Sequence, residues 1–172
     1  MTKQKSVFWD WIETIAIAVI LALVIRTFLF QPFYIPSGSM EPTLQVGDKI
    51  IVNKLTSRFK DPERGQIVVF KFPYDPSQDF VKRIIGLPGE TVEIRDSRVF
   101  INGQALAEDY LPEGLVYPDF PPVTVPANSY FVLGDNRNNS QDSRVWGPLP
   151  RDLLIGNVLA IYWPLERIGT VK

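Results

Sequence analysis

The sequence contains no histidine and no cysteine among its 172 residues. Without histidine, catalysis by a Ser-His-Asp triad or a Cys-His pair is excluded, and the usual zinc sites lack both of their preferred ligands. Without cysteine no disulfide can form, so this residue gives no information about the redox compartment. A nucleophilic serine in this chain would need a lysine or a carboxylate as its base.

Net charge is also almost absent, because 18 basic and 19 acidic residues leave a formal charge of −1. This balance gives no bulk attraction to nucleic acid, and we expect no nucleic-acid partner. The length suits one domain with an appendage, and the 45 % of hydrophobic residues can form a core. With 15 prolines and 11 glycines, we expect modest helix content and many loops.

The most apolar block runs from Trp9 to Phe30. Its uncharged part, residues 14–25, is too short to span a bilayer of roughly 30 Å. Glu13 and Arg26 lie near the two ends, where long side chains reach the interface. The whole block, at about 20 residues, is long enough to span.

This block is interpreted as a single membrane anchor, with a helix at about residues 9–30. A cleaved secretory signal and a buried core helix are the alternatives. Lys3 and Lys5 precede the block and favour a cytoplasmic N-terminus. We therefore expect a short cytoplasmic tail and anchor over residues 1–30 and an extracytoplasmic domain over 31–172.

After the anchor, the pattern changes to short β-rich runs bounded by Gly, Pro and Asp. The clearest runs are residues 48–55, 65–73, 80–87, 129–135 and 153–163. Residues 91–106 have the pattern of two strands joined by a tight turn, followed by the Asn102-Gly103 turn signal. The proline-rich residues 107–126 are expected to form a long loop or a small insertion. The predicted fold is therefore mainly β.

Two serines stand close together in PSGSMEPTL, residues 36–44. Ser39 follows a glycine in a segment held by prolines, so its position is fixed at low entropic cost, as a nucleophile requires. Ser37 lies two residues earlier and can offer its hydroxyl to an oxyanion. A simple turn or strand start is the alternative, because Ser and Gly are common there.

A lysine acts as a base only when it is unprotonated, and burial among apolar groups lowers its pKa. Of the eight lysines, Lys71 and Lys82 have apolar surroundings. In a strand, Lys82 would share its face with Phe80 and Ile84. Periodicity does not separate the two lysines, and a half-exposed strand position is the alternative for each.

The segment Gly134–Gly147 places two Asp, three Asn, two Arg and two Ser in 14 positions. A solvated hairpin loop is one interpretation, but Trp146 indicates that the loop is packed. Asp135 and Asp142 are candidates for ion pairs that would make a site rigid, with Arg83, Arg137 or Arg144 as partners.

Three motifs, PSGSMEPTL, FVKRIIGLPGE and GDNRNNSQDSRVWG, follow the apolar block in this order. Together they strongly resemble the bacterial type I signal peptidase (leader peptidase) family, and the match extends from the anchor to the final strand. The resemblance implies a membrane-bound, β-rich serine endopeptidase that cleaves N-terminal signal peptides from exported preproteins. It implies a Ser-Lys dyad and no metal or cofactor.

Carried over by position, the resemblance makes Ser39 the nucleophile and selects Lys82, not Lys71, as its general base. Ser37 becomes the side-chain oxyanion donor, and the Ser39 backbone N–H becomes the second donor. Ser140 matches the hydroxyl that orients the lysine amine.

The remaining implied roles are structural. Asp142 matches an acidic residue that holds the site rigid. Asp135 and Arg83 together resemble a structural ion pair. Asn138 departs from the family, many of whose members carry Asp there, and so removes a charge from the loop. The resemblance also implies an apolar wall that admits only small side chains at the cleavage positions: Phe33, Ile35, Pro36, Met40, Leu44, Phe80 and Val81.

The expected partners are preprotein signal peptides and a lipid bilayer. The expected location is the cell membrane, or a thylakoid membrane in a cell that has one. Two alternatives stay open. One is a related Ser-Lys peptidase with another substrate, such as a self-cleaving regulator, and the other is a non-catalytic, membrane-anchored β module.

Overall fold

The structure, a computed structural model, describes residues 7–24 and 29–171. Residues 1–6, 25–28 and 172 lie outside the described residues. Most of the expected cytoplasmic tail and part of the expected anchor are therefore not covered.

Helix α1 covers Val7–Val24, within the block for which the sequence predicts an anchor helix. Phe30, which was expected to end that helix, instead begins a strand and pairs with Asn53 of the neighbouring strand. Among the described residues, we find no helix that is both long and apolar enough to cross a membrane.

The rest of the described chain is mainly β, as the sequence predicts. Its strands are β1 (Phe30–Tyr34), β2 (Lys49–Asn53), β3 (Ile67–Phe72), β4 (Asp75–Gly86), β5 (Thr91–Arg95), β6 (Arg98–Ile101), β7 (Gln104–Ala105), β8 (Phe120–Thr124), β9 (Ser129–Leu133), β10 (Leu149–Pro150), β11 (Leu154–Trp163) and β12 (Gly169–Thr170). Two short helices accompany them, α2 (Lys54–Phe59) and α3 (Ser143–Trp146). Short 3₁₀ turns cover Gly38–Met40, Arg151–Leu153 and Leu165–Arg167.

In the described ranges these strands form two antiparallel sheets. The larger sheet has the order β1-β2-β11-β3-β4-β9-β10, with β12 paired to β11, and the smaller has the order β7-β6-β5-β8. The serine motif connects β1 to β2, the lysine motif lies in β4, and the polar loop follows β9. Because β4 pairs with both β3 and β9, the last two motifs are brought side by side.

The core follows the two-residue period of the strands. Ile67 and Val69 of β3 enter one buried cluster, whereas Val68 and Phe70 enter a second cluster on the other face of the larger sheet. A third cluster, containing Phe131, joins the larger sheet to the smaller one. Side chains therefore pack on both faces of β3, which makes the scaffold under the site rigid.

Two local predictions are right only in part. The segment 107–126 is not a loop throughout, because β8 pairs with β5 at its end. Pro121 and Pro122 obscured this strand, since proline disfavours strands and is tolerated only at sheet edges, where β8 lies. The run 48–55 is strand only to Asn53, whose side-chain oxygen accepts from the Leu55 N–H at 2.9 Å as the chain turns into α2.

Candidate active site

The Ser39 turn is fixed to the edge of the larger sheet. The Ile35 N–H donates to the Asp48 carbonyl at 2.9 Å, and the Gly47 N–H donates back to the Ile35 carbonyl at 2.9 Å. Met40, directly after Ser39, has no exposed surface and packs in the core. The serine is therefore held from both sides by backbone bonds and by a buried neighbour.

Lys82 lies in the middle of β4, opposite Val68 of β3. Its Nζ donates to the Ser39 Oγ at 2.8 Å and to the Val81 carbonyl at 2.8 Å. The same atom lies 5.5 Å from the centroid of the Phe80 ring. The lysine residue is only 3 % exposed.

This environment changes the protonation of Lys82. Burial lowers the pKa of Lys82 to about 8 from its ordinary value of 10.5, while the charges of Asp142 and Asp135 act in the opposite direction. At pH 8 about half of the amine is therefore unprotonated and can accept a proton. The geometry supplies an amine of suitable pKa within hydrogen-bonding distance of a serine hydroxyl.

Lys71, the other candidate from the sequence, lies in a different setting. Its side chain is 42 % exposed, and its Nζ pairs with the Asp79 carboxylate at 2.7 Å. The structure thus brings Lys82, and not Lys71, to Ser39. Strand periodicity had left this choice open, because both lysines lie in apolar runs.

Ser37 is exposed and precedes the 3₁₀ turn with an extended backbone, φ −133° and ψ 152°. Its hydroxyl makes no capping hydrogen bond to the turn. The turn geometry therefore does not require this hydroxyl, and its expected role as an oxyanion donor stays a prediction.

Ser140 departs from the expected arrangement. Its Oγ is buried and makes no hydrogen bond, so it does not contact the lysine amine as predicted. Instead the Ser140 side chain packs against the Cα of Gly134, where the Ser39 carbonyl also lies close. The Lys82 amine is directed by Ser39 and by the Val81 carbonyl.

The two predicted carboxylates each bind an arginine. Asp135 receives two bonds from Arg83, at 2.9 and 2.7 Å, and a third from the Thr43 hydroxyl at 2.6 Å. Asp142 receives two bonds from the Arg144 side chain, at 2.9 and 2.8 Å, and bonds from the backbone N–H groups of Arg144, at 3.2 Å, and Gly134, at 3.1 Å. Because both carboxylates are buried and paired, they fix the loop beside the site without contacting the lysine directly.

The predicted apolar wall is only partly exposed. Ile35, Met40 and Leu44 are buried in the first core cluster and present at most 3 % of their surface. Packing of the serine turn onto the sheet occupies these side chains, and their expected place in the wall stays a prediction. The other four predicted residues are partly or fully exposed: Phe33, Pro36, Phe80 and Val81.

Sequence reasoning missed Asn136. Its backbone N–H donates to the Ser39 carbonyl at 3.1 Å, and its Nδ2 donates to the Gly38 carbonyl at 3.0 Å. The loop contains three asparagines, and composition gave no way to tell which of them faces the serine. Only its position directly after Asp135 in the sequence could have indicated that Asn136 lies near the site.

The buried support of Arg137 was also missed. Arg137 donates to the Gly134 carbonyl at 3.1 Å, and its other nitrogens bind Glu108 and the Tyr117 hydroxyl. The proline-rich segment therefore braces the polar loop. Sequence patterns did not reveal this contribution, since the contacts are polar and join residues far apart in sequence.

Within residues 7–24 and 29–171, no group of three or more carboxylates is arranged to hold a metal ion.

The family follows from comparison with known proteins. The chain matches the family described as signal peptidase, peptidase S26, over residues 8–163, and it belongs to this family. It is accordingly a serine protease, which is the class that the sequence motifs predicted.

Particular relatives agree with this assignment. A probable signal peptidase I-2 from Synechocystis sp. is 48 % identical over 92 % of this chain and 76 % of the relative. A signal peptidase I from Leptolyngbya laminosa is 48 % identical over 97 % of this chain and 85 % of the relative. A crystal structure of a signal peptidase I from Enterococcus faecalis superposes with a TM-score of 0.51 at 40 % identity, covering 57 % of this chain and 97 % of that one.

Proposed function

We propose that this chain is a membrane-bound endopeptidase that removes signal peptides from exported preproteins with a Ser39-Lys82 dyad. The observation that carries the proposal is the 2.8 Å contact between the Lys82 Nζ and the Ser39 Oγ at a buried position. Relatives named signal peptidase I support the substrate class.

The proposed reaction begins with the neutral Lys82 amine, which takes the Ser39 proton while Oγ attacks the scissile carbonyl carbon. The carbonyl oxygen becomes an oxyanion, to which the Ser39 N–H and the Ser37 hydroxyl donate. The resulting ammonium returns the proton to the leaving amine, and the C–N bond breaks. Water then hydrolyses the acyl-enzyme, with Lys82 again as base.

The proposed specificity follows from the shape of the exposed wall. Phe33 and Val81 are half-buried and rest on the first core cluster, while Phe80 stacks on Phe72 with ring centroids 4.5 Å apart. These side chains have little freedom to move away from a bulky substrate residue. Small residues such as alanine are therefore expected before the cleaved bond, and larger ones are excluded by steric overlap.

The function is tested by incubating the full-length protein in detergent with a preprotein and sequencing the new N-terminus. We expect cleavage after a small residue, at a rate that rises with pH to half its plateau near the Lys82 pKa of about 8. Ser39→Ala should remove the activity, and phenylalanine before the cleaved bond should block it. Cleavage only within this chain's own sequence would favour the self-cleaving alternative. Unchanged activity of Ser39→Ala would contradict the proposal.

We also propose that the N-terminal block anchors the chain, with the catalytic domain outside the cytoplasm. The proposal is supported by the apolar side chains of α1, which stand exposed in the described structure: Ile12, Ile15, Ile17, Val19, Ile20, Leu21 and Leu23. A continuous apolar surface of this kind is unusual in water. The basic residues Lys3 and Lys5 support the orientation.

The orientation predicts which part of the chain an added protease can reach. In right-side-out vesicles, protease should digest the domain after Phe30 and spare an epitope tag placed at the N-terminus. Detergent-opened vesicles serve as the control, because both parts should then be digested. Protection of the C-terminal domain in intact vesicles would contradict the orientation.

A further inference from the structure

Asn136 holds both peptide groups that flank Ser39. Its Nδ2 donates to the Gly38 carbonyl at 3.0 Å, and its backbone N–H donates to the Ser39 carbonyl at 3.1 Å. Only the nitrogen of an asparagine amide can donate to a carbonyl, so the orientation of this side chain follows from its partner.

The first of these bonds, together with the Glu41 N–H that donates to the same carbonyl at 3.2 Å from within the turn, fixes the direction of the Ser39 N–H. The Gly38 carbonyl and the Ser39 N–H belong to one planar trans peptide group and point in opposite directions. When Nδ2 holds the carbonyl on one side, the N–H is directed to the other side. Donation to the carbonyl also polarises the peptide and strengthens the N–H as a donor.

A peptide group next to glycine needs such a restraint. Gly38 has no Cβ, so its backbone dihedral angles are less restricted than those of other residues, and rotation of the adjoining peptide costs less. An oxyanion donor is effective only when it is aimed in advance at the position where charge develops. The Glu41 N–H restrains this peptide only from within the same short turn, whereas the Asn136 amide, which donates at the shorter distance of 3.0 Å, ties it to a different part of the fold.

The loop itself does not require the Asn136 side chain. Asp135, on one side, is held by Arg83 through two hydrogen bonds, and Arg137, on the other side, is held by Glu108. The backbone at position 136 is therefore already fixed by its neighbours. The bond from Nδ2 therefore adds little to the stability of the loop, and its main effect is to restrain the Gly38-Ser39 peptide.

We propose that Asn136 is a positioning residue for the oxyanion hole, acting through the Gly38-Ser39 peptide to direct the Ser39 N–H. This inference rests on the proposed function, because it takes Ser39 as the nucleophile. It assigns to the side-chain amide a role in the transition state, and none in binding the substrate or setting the Lys82 pKa.

The test compares Asn136→Ala with Asn138→Ala in the full-length protein. Asn138 is a matched control, because its Nδ2 also donates from this loop to a carbonyl, that of Val116 at 2.9 Å. We expect Asn136→Ala to lower kcat by about 10- to 100-fold, with KM and the pH midpoint unchanged. Ser37→Ala provides the reference for losing one oxyanion donor, with an expected loss of about 10²- to 10³-fold. Asn138→Ala should keep wild-type kcat.

A pair of inhibitors separates positioning from general damage. A peptide aldehyde forms a hemiacetal with the serine, and its oxygen enters the oxyanion position, whereas the matching peptide alcohol only binds. Asn136→Ala should weaken the aldehyde by about the same factor as kcat and leave the alcohol unchanged. Equal weakening of both inhibitors, or a lower melting temperature that accounts for the lost activity, would overturn the inference.

Ser39→Ala in the same assay distinguishes failure of the proposed function from failure of the role of Asn136. If Ser39→Ala keeps activity, the proposed function fails. If Ser39→Ala is inactive while Asn136→Ala keeps wild-type kcat and aldehyde affinity, the proposed function stands and only the role of Asn136 fails.

Discussion

Replacement of Lys82 by methionine is expected to lower kcat/KM by at least about 10³-fold while making the folded protein more stable at pH 7. Methionine has a similar length and fills the buried position but carries no amine. The loss of activity follows because no other base lies against the Ser39 hydroxyl in the described residues; the Lys82 amine makes that contact.

The gain in stability follows from the lowered pKa. The pKa of Lys82 falls from its ordinary value of 10.5 to about 8 in the folded protein. This difference means that burying the charged amine costs about 3 kcal/mol of folding free energy. Below pH 8 lysine is charged in both states, so the wild type carries this whole cost. The cost disappears as pH rises from about 8 to 10.5, because the folded protein releases its proton first.

Two lost hydrogen bonds oppose this gain, at about 1 kcal/mol each. The net expectation is therefore that Lys82→Met raises the free energy of unfolding by about 1 kcal/mol below pH 8 and lowers it by about 2 kcal/mol above pH 10.5. Denaturant unfolding at several pH values measures this reversal. Lys71→Met is the control, because its exposed amine should affect neither activity nor the pH dependence strongly. A stability difference that is independent of pH would contradict the assigned pKa.

Replacement of Gly134 by alanine is expected to lower kcat by about 10²-fold or more, because the new methyl group would displace the Ser39 turn. Its Cβ would lie 2.5 Å from the Ser39 carbonyl oxygen and still closer to the Ser140 Oγ. The backbone of Gly134 cannot shift away from these atoms, since its N–H donates to Asp142 and its carbonyl accepts from Arg137. Overpacking of this kind should also cost about 1–3 kcal/mol of stability.

Two other glycines provide matched controls for this substitution. An alanine Cβ at Gly86 would lie 2.5 Å from Val92 and 2.9 Å from Phe131, in a core cluster that does not contain Ser39. Gly86→Ala should therefore destabilise the protein yet keep the kcat of the folded fraction. Gly169→Ala meets no atom within 4 Å and should change neither quantity. If Gly86→Ala lowers kcat as much as Gly134→Ala, the effect would come from general destabilisation and not from the Ser39 turn.

The sequence predicted best those features that depend on local patterns. The β-rich composition of short runs in the sequence identified β3 and β9, and the Asn102-Gly103 turn has the positive φ values, 51° and 80°, that this pair favours. Strand β8 was not predicted in this way, because a strand can contain its prolines only when it lies at a sheet edge. That position is a property of the assembled sheet and not of the segment.

The sequence by itself determined the kind of chemistry available, since a chain without histidine and cysteine leaves a lysine or a carboxylate as the base for a serine. Its three motifs also identified the family. Only the tertiary structure decided which residues meet. The pairing of β4 with β3 and β9 brings Lys82 and the polar loop to the Ser39 turn, and burial there lowers the lysine pKa. It also directs Asn136 to the serine and leaves the Ser140 hydroxyl without a partner. Such contacts join residues far apart in the chain. Short-range sequence patterns cannot predict them, because distances across a sheet depend on strand order and register.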